Sequence, residues 1–304
     1  MLVVIGHEKN WEFFNRAATE GVLSHSYIFY GPEKVGKKTL ALNIASRLLN
    51  IPVEKLPTNP DFYFLERIED EKTGKLKQDI SISQTRQLRE RLANGSWLRG
   101  YQVVVINEAE KLNEESGNSL LKLLEEPGSN TIFFLITTDG EAVLPTIRSR
   151  SQLVHFGLVK EDDLKQGLNK LGYNEKNISE VLPLAEGRPG KAIELLEDGT
   201  KLLELKTRRE MLKRMLTSSL QENFGTVEKI FKDKKEMTRE KEMVKDLVED
   251  WQIILRDMLL GTEASETWAP RRIIRVLKDL FETRMLLKTN TQPRLLLEQI
   301  IINF

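Results

Sequence analysis

The sequence predicts an α/β chain: a parallel sheet interleaved with helices over the first 160 residues, then helices alone. Three observations carry this. Short β-rich runs alternate with helical patterns up to about residue 160, the layout of a parallel sheet with crossover helices. One run, Val103-Val104-Val105-Ile106, is continuously β-branched, the mark of a strand buried on both faces. Beyond residue 160 the strand signals stop and apolar residues recur at helical spacing. The 304 residues are about twice a usual domain, which leaves room for two or three.

The elements follow in order. Tyr27 to Tyr30 reads as a strand entering Gly31-Pro32. From Lys37, Leu40, Ile44 and Leu48 recur at a four-residue step with Ala41 and Ala45 beside them, a helix with a small-residue apolar face. Pro52, Pro57 and Pro60 break the chain, Asp61 to Leu65 is a second strand, and the polar stretch Glu69 to Lys77 reads as a hairpin or excursion. Ser83 is expected to cap a helix to about Ala93. After the Val103 run, Asn113 is an N-cap with Glu114 and Glu115 in the first turn, and the helix through Leu120, Leu121, Leu123 and Leu124 stops at Pro127-Gly128. Ile132 to Ile136 and Leu153 to Phe156 complete the strands.

Leu164, Leu168 and Leu171 open a small helical region that reaches Gly187-Arg188-Pro189-Gly190, followed by a helix with Ala192, Ile193, Leu195 and Leu196. From about residue 201 the pattern is helical, with one stripe of Met243, Leu247, Trp251, Ile254, Leu255 and Met258 and another of Ile273, Leu277, Leu280 and Phe281. Nine of the eleven residues from Lys232 to Glu242 are charged. Their mixed signs favour a solvated helix face or exposed turn over a nucleic-acid patch.

Composition excludes several classes. With 46 Lys and Arg against 46 Asp and Glu, there is no overall basic field for nucleic acid or membrane, so any such contact is local. No cysteine is present, which removes disulfides, Cys-ligated zinc, iron–sulfur clusters and thiol nucleophiles. His7, His25 and His155 are far apart and in no metal-ligand spacing, so no metal is expected. Met1 to Ile5 lacks the basic start and long apolar stretch of a signal peptide, and no run approaches the length of a spanning helix. A cytoplasmic location follows as an expectation.

Gly31-Pro32-Glu33-Lys34-Val35-Gly36-Lys37-Lys38-Thr39 lies between a strand and a helix, the context in which G-x-x-x-x-G-K cradles phosphates. A working motif places Ser or Thr directly after the Lys to coordinate Mg²⁺. Here that place holds Lys38, and Thr39 is one residue late, rotated by about 100° on the helix. The second half of such a site is a strand ending in a metal-holding Asp. In this chain Asn107 stands there, followed by Glu108. Two substitutions at positions serving one metal ion argue that hydrolysis was lost.

His25 to Pro32, the Asn-Pro-Asp-Phe of 59–62, Asn118 to Pro127 and Leu144 to Ser151 occur in that order. Together they resemble the bacterial DNA polymerase III clamp-loader subunits of the AAA+ ATPases, over about residues 5–196, and within that family the non-motor delta-prime branch. The resemblance implies a RecA-like P-loop domain over 1–158, a small helical lid over 159–200 and a helical collar over 201–304 through which members assemble into a ring-like pentamer. It implies that Arg150 of Ser149-Arg150-Ser151, where relatives have Ser-Arg-Cys, is an arginine finger offered to the ATP of a neighbouring subunit. Arg148 is a second candidate. Gly190 falls where a motor usually carries its sensor-2 Arg, with Arg188 two residues earlier. The loop's middle glycine is replaced by Lys34, which would crowd the phosphate cradle. The four-Cys zinc module of many relatives is absent, so Leu49 to Pro60 connects without metal. Thr137 and Thr138 both fall near sensor 1.

The expected role is a non-motor part of the DNA polymerase III holoenzyme that helps to load the sliding clamp on primed DNA. Its expected partners are gamma/tau-like and delta-like subunits, and through them the clamp and the DNA; no membrane partner is expected. No cofactor is required on this reading. Gly31, Gly36, Lys37, Thr39, Asn107 and Glu108 form a degenerate nucleotide site with room for weak ATP, ADP or phosphate binding. A divergent gamma-type motor using Thr39 and Glu108, and a stand-alone AAA+-like adaptor, are the alternatives.

Overall fold

The computed structural model describes residues 2–70, 74, 76–93, 95–97, 100–128, 130–232, 237–259, 268–287, 289 and 291–304. These form two compact units, Met1–Glu197 and Asp198–Phe304. The first opens with helix α1 (Glu8–Glu20), strand β1 (Ser26–Tyr30), helix α2 (Lys37–Leu49) and strand β2 (Phe62–Leu65). It continues through α3 (Ile82–Ala93), β3 (Gln102–Asn107), α4 (Glu114–Glu125), β4 (Thr131–Thr137), α5 (Pro145–Arg148) and β5 (Gln152–His155). Helices α6 (Glu161–Lys170), α7 (Glu175–Ala185) and α8 (Pro189–Glu197) complete it.

All five strands are parallel, in the order β2-β3-β4-β1-β5. The expected strands are all present. Side chains alternate across the sheet, so Tyr27, Phe29, Val103, Val105 and Phe134 pack on one side with α2 residues Leu40, Ala41 and Ile44. Ile28, Val104, Ile106, Phe133 and Leu135 pack on the other with Leu88 of α3 and Leu120 and Leu124 of α4. The register pairs Tyr30 with Thr137 and Asn107 with Ile136. The carboxyl ends of β1, β3 and β4 therefore share one edge, where open parallel sheets hold their ligands.

Helix α1 has no counterpart among the expected elements, because its apolar residues Trp11, Phe14 and Ala17 are diluted by charged ones. Phe14 is nevertheless fully buried, with its ring 4.9 Å from Tyr27 and 5.3 Å from Phe29. The start of α3 differs as well. Ser83 lies inside the helix, and the boundary residue is Ser81, whose carbonyl accepts from Gln84 and Thr85 while its N–H donates to Gln84 Oε1. Asn113 does cap α4, accepting from the Ser116 N–H at 2.9 Å. Leu49 to Pro60 connects through a 3-10 turn over Val53–Thr58. In the expected hairpin Glu69 and Leu76 pair as an isolated antiparallel bridge; residues 71–73 and 75 lie outside the described residues.

The second unit contains α9 (Gly199–Thr217), α10 (Leu220–Ile230), α11 (Met237–Leu259), α12 (Pro270–Leu286) and α13 (Pro293–Ile302). Its core centres on Trp251, and the α11 stripe from Met243 to Met258 packs there as the spacing predicts. The α12 stripe is partly corrected. Ile273 and Leu280 are buried, but Phe281 is 63% exposed, because a step of one residue from Leu280 turns it out of the apolar face. Residues 233–236 of the charged run lie outside the described residues. Among the described residues no helix is long and apolar enough to cross a membrane.

Phe14→Ala is expected to cost about 3–5 kcal/mol in urea unfolding, whereas Phe281→Ala is expected to stay within about 0.5 kcal/mol. Equal losses at the two positions would contradict this packing.

Candidate functional site

Between β1 and α2 the chain makes one tight turn, Gly31–Gly36. Gly31 has φ 135°, and a Cβ there would collide with the Phe156 carbonyl oxygen. The crossing is held by Phe156 N–H donating to the Tyr30 carbonyl at 2.8 Å. Gly36 is the N-cap of α2 at φ 108°, a conformation that other residues rarely adopt. Lys37 then opens the helix, buried, and its ammonium donates to the carbonyls of Gly31 and Pro32 at 2.5 Å each. Burial pushes Lys37 down to about 8, against the pull of Glu33 and Glu110.

The turn forms one wall of a cavity of about 400 Å³. Gly36, Lys37, Thr39, Asn107 and Glu108 all line it, so five of the six expected cradle residues come together. The sixth, Gly31, is held against Phe156 and contributes its carbonyl to Lys37. Val3, Val4 and Ile5 form an apolar ledge, with Ile136 and Ile193 also on the wall. Thr137 and Thr138 both line the cavity. Thr137 is buried, its hydroxyl donating to the Asp139 carbonyl at 3.0 Å, and Thr138 is exposed. Gly190 and Pro189 line it too, where α8 meets the turn. His7 packs at a tilt against Phe156, with ring centroids 4.8 Å apart, and burial pushes its imidazole below the usual range.

Two residues that sequence reasoning missed organise the far side. Lys38 lays its ammonium over the Phe64 ring, 4.4 Å from the centroid, and 3.8 Å from Glu66. The same Glu66 carboxylate accepts from Asn107 Nδ2 at 3.4 Å. Glu108, at φ 57°, receives two bonds from the Arg67 guanidinium, at 2.8 and 2.7 Å, a paired geometry that fixes both groups. That hydrogen bond is the leading cause of the rise in the Arg67 pKa. Glu66 and Arg67 directly follow β2, 41 residues before their partners. Their position after an apolar strand was the available signal, and nothing local identifies the partners.

Arg150 stands apart from the cavity, on the turn between α5 and β5. Its guanidinium donates to the Thr146 carbonyl at 2.9 Å and pairs with Glu125, about one-third exposed. Arg148 pairs with Glu141. Ser151, at the place of the relatives' Cys, has its hydroxyl 2.7 Å from that of Ser26 and donates to the Ile147 carbonyl.

The depressed Lys37 ammonium gives a pH test. Above about 8 the folded chain releases a proton that the unfolded chain retains up to the ordinary lysine range, so stability rises with pH through that window. The urea midpoint is expected to climb between about pH 7.5 and 9.5, and less in Lys37→Met. Equal slopes in the two proteins would contradict the burial of a titrating amine.

Residues 6–160 match the family described as DNA polymerase III, delta subunit. The delta' subunit of Pseudomonas aeruginosa is 34% identical over 141 residues, 42% of this chain and 41% of the relative. That of Haemophilus influenzae is 29% identical over 194 residues, 59% of this chain and 57% of the relative. A gamma/tau subunit from Mycobacterium tuberculosis is 31% identical over 170 residues, 51% of this chain and 28% of the relative. The chain thus spans less than two thirds of the length of each. Among solved structures, a gamma subunit-related protein of Thermotoga maritima has TM-score 0.55 at 20% identity, covering 96% of this chain and 97% of that one; this likeness is of fold. With an α/β fold and a family match over half its length, the chain belongs to the DNA polymerase III, delta subunit family and is similar to its delta' members.

Proposed function

We propose that this chain is a non-motor clamp-loader subunit that offers Arg150 to a neighbour's ATP and turns over none itself. One observation carries the reading: where a divalent ion would sit between the loop and β3, the chain has the Lys38 ammonium, tied to Glu66, and the uncharged Asn107. An ammonium repels Mg²⁺, and Asn brings no charge to hold its water shell. The residues therefore do not fit the metal, and no hydrolytic step is derived through it. Glu108, the group that would orient an attacking water, is engaged by Arg67.

The Gly31–Gly36 turn and Lys37 leave room for weak ATP, ADP or phosphate binding without metal. In this reading residues 1–158 act as the RecA-like domain, 159–200 as its lid and 201–304 as the collar of a ring-like pentamer in the cytoplasm. Its partners are gamma/tau-like and delta-like subunits, and through them the clamp and primed DNA. Arg150 suits a role in trans because it lies outside the chain's own cavity on a partly exposed turn, and a planar guanidinium stabilises charge on a transferring phosphoryl group. The retained loop and the likeness to gamma/tau subunits favour, as a second reading, a divergent motor.

The test is reconstitution with gamma/tau-like and delta-like subunits and a clamp. Arg150→Ala is expected to assemble normally and to slow hydrolysis at the one neighbouring site by about a thousandfold. Unchanged hydrolysis there, or failure of the wild-type chain to co-assemble, would contradict the proposal.

A further inference from the structure

Lys34, at the apex of the phosphate-type turn, is held from the lid side. It has φ 61°, the left-handed region that a glycine would occupy without strain. Lys34 lines the cavity, where the sequence expectation places it. The ammonium pairs with Glu194, on the first turns of α8. Its carbonyl accepts from the Gly190 N–H at 2.8 Å. A Cβ on Gly190 would lie 3.0 Å from that oxygen and 3.1 Å from Lys34 Cβ, so the approach of helix to turn is one that glycine permits.

The entry to α8 is pinned too. Val159 N–H donates to the Gly187 carbonyl at 2.8 Å, and a Cβ on Gly187 would meet the Val159 carbonyl at 2.5 Å. On the inner side of the turn the Lys37 ammonium holds the Gly31 and Pro32 carbonyls. The turn is thus secured from both sides by the chain itself, with contacts 5, 6 and 160 residues apart in sequence.

We propose that Lys34, Gly190 and Glu194 form a latch that fastens α8 to the turn without any ligand and restrains the turn from opening around the phosphates of a nucleoside diphosphate. The backbone bond sets the contact. The partly exposed ion pair, weak by itself, keeps the Lys34 side chain on α8. Nucleotide entry then competes with an internal contact. The proposal rests on the reading that the cavity is not a working ATPase site. Binding without magnesium is measured separately from turnover, so either can fail alone.

The experiment uses the full chain, ADP in the presence of a chelator, and hydrogen exchange over residues 189–197. Lys34→Gly removes the ion pair and places a glycine at the apex; Glu194→Gln removes the pair and leaves the apex residue unchanged. Both are expected to speed exchange in α8 and to tighten ADP binding, Lys34→Gly by about tenfold. The double variant is expected to add little to Lys34→Gly, because both changes break one interaction. Unchanged ADP affinity and exchange in both variants would overturn the latch. So would tighter binding in Lys34→Gly alone with α8 exchange unaltered, which would make the effect one of the turn's glycine.

Discussion

The cavity edge depends on one close backbone crossing, that of Gly31 beneath the Phe156 carbonyl. No side chain fits at Gly31, and the Phe156–Tyr30 hydrogen bond fastens the chain leaving β5 to the end of β1. The turn that follows must rise from that point into α2, which sinks Lys37 against the carbonyls of Gly31 and Pro32. The sheet register does the rest by bringing Thr137 level with Tyr30 and Asn107 level with Phe29, one residue earlier. A phosphate-type cradle is thereby assembled from backbone geometry, whichever side chains are set upon it.

Those side chains decide the chemistry. Lys38 meets Glu66 and the face of Phe64, Asn107 meets the same carboxylate, and Glu108 meets Arg67. Each is an ordinary surface or edge contact of modest strength. Their shared effect is that Lys38, Asn107 and Glu108 are each engaged by a partner within the chain, which is the physical basis for reading the site as a retained scaffold.

Much of the fold was legible because period and capping speak locally. The β-branched run of β3, the four-residue step of α2 and the Asn113 cap each depend on neighbours within one element. Helix α1 was not legible, since Phe14 earns its place only by contact with Tyr27, Phe29 and Phe134 across the sheet. Phe281 erred in the opposite sense: the spacing marked it apolar, and one step of the helix leaves it outside. At the site, the loop and the Lys38 and Asn107 substitutions could be read directly. Their partners Glu66 and Arg67, and the Lys34–Glu194 pair, join residues distant in sequence, and a single chain carries no mark of such pairings.

Family membership covers residues 6–160, and the proposed non-motor role rests on a few side chains within them. The most direct measurement is magnesium-dependent ATP turnover by the purified chain beside its Lys38→Thr/Asn107→Asp variant, which returns a hydroxyl and a carboxylate to the metal positions. No turnover above background is expected for the natural chain, and a gain, however small, for the variant. Turnover by the natural chain that Lys37→Ala abolishes would contradict the non-motor role.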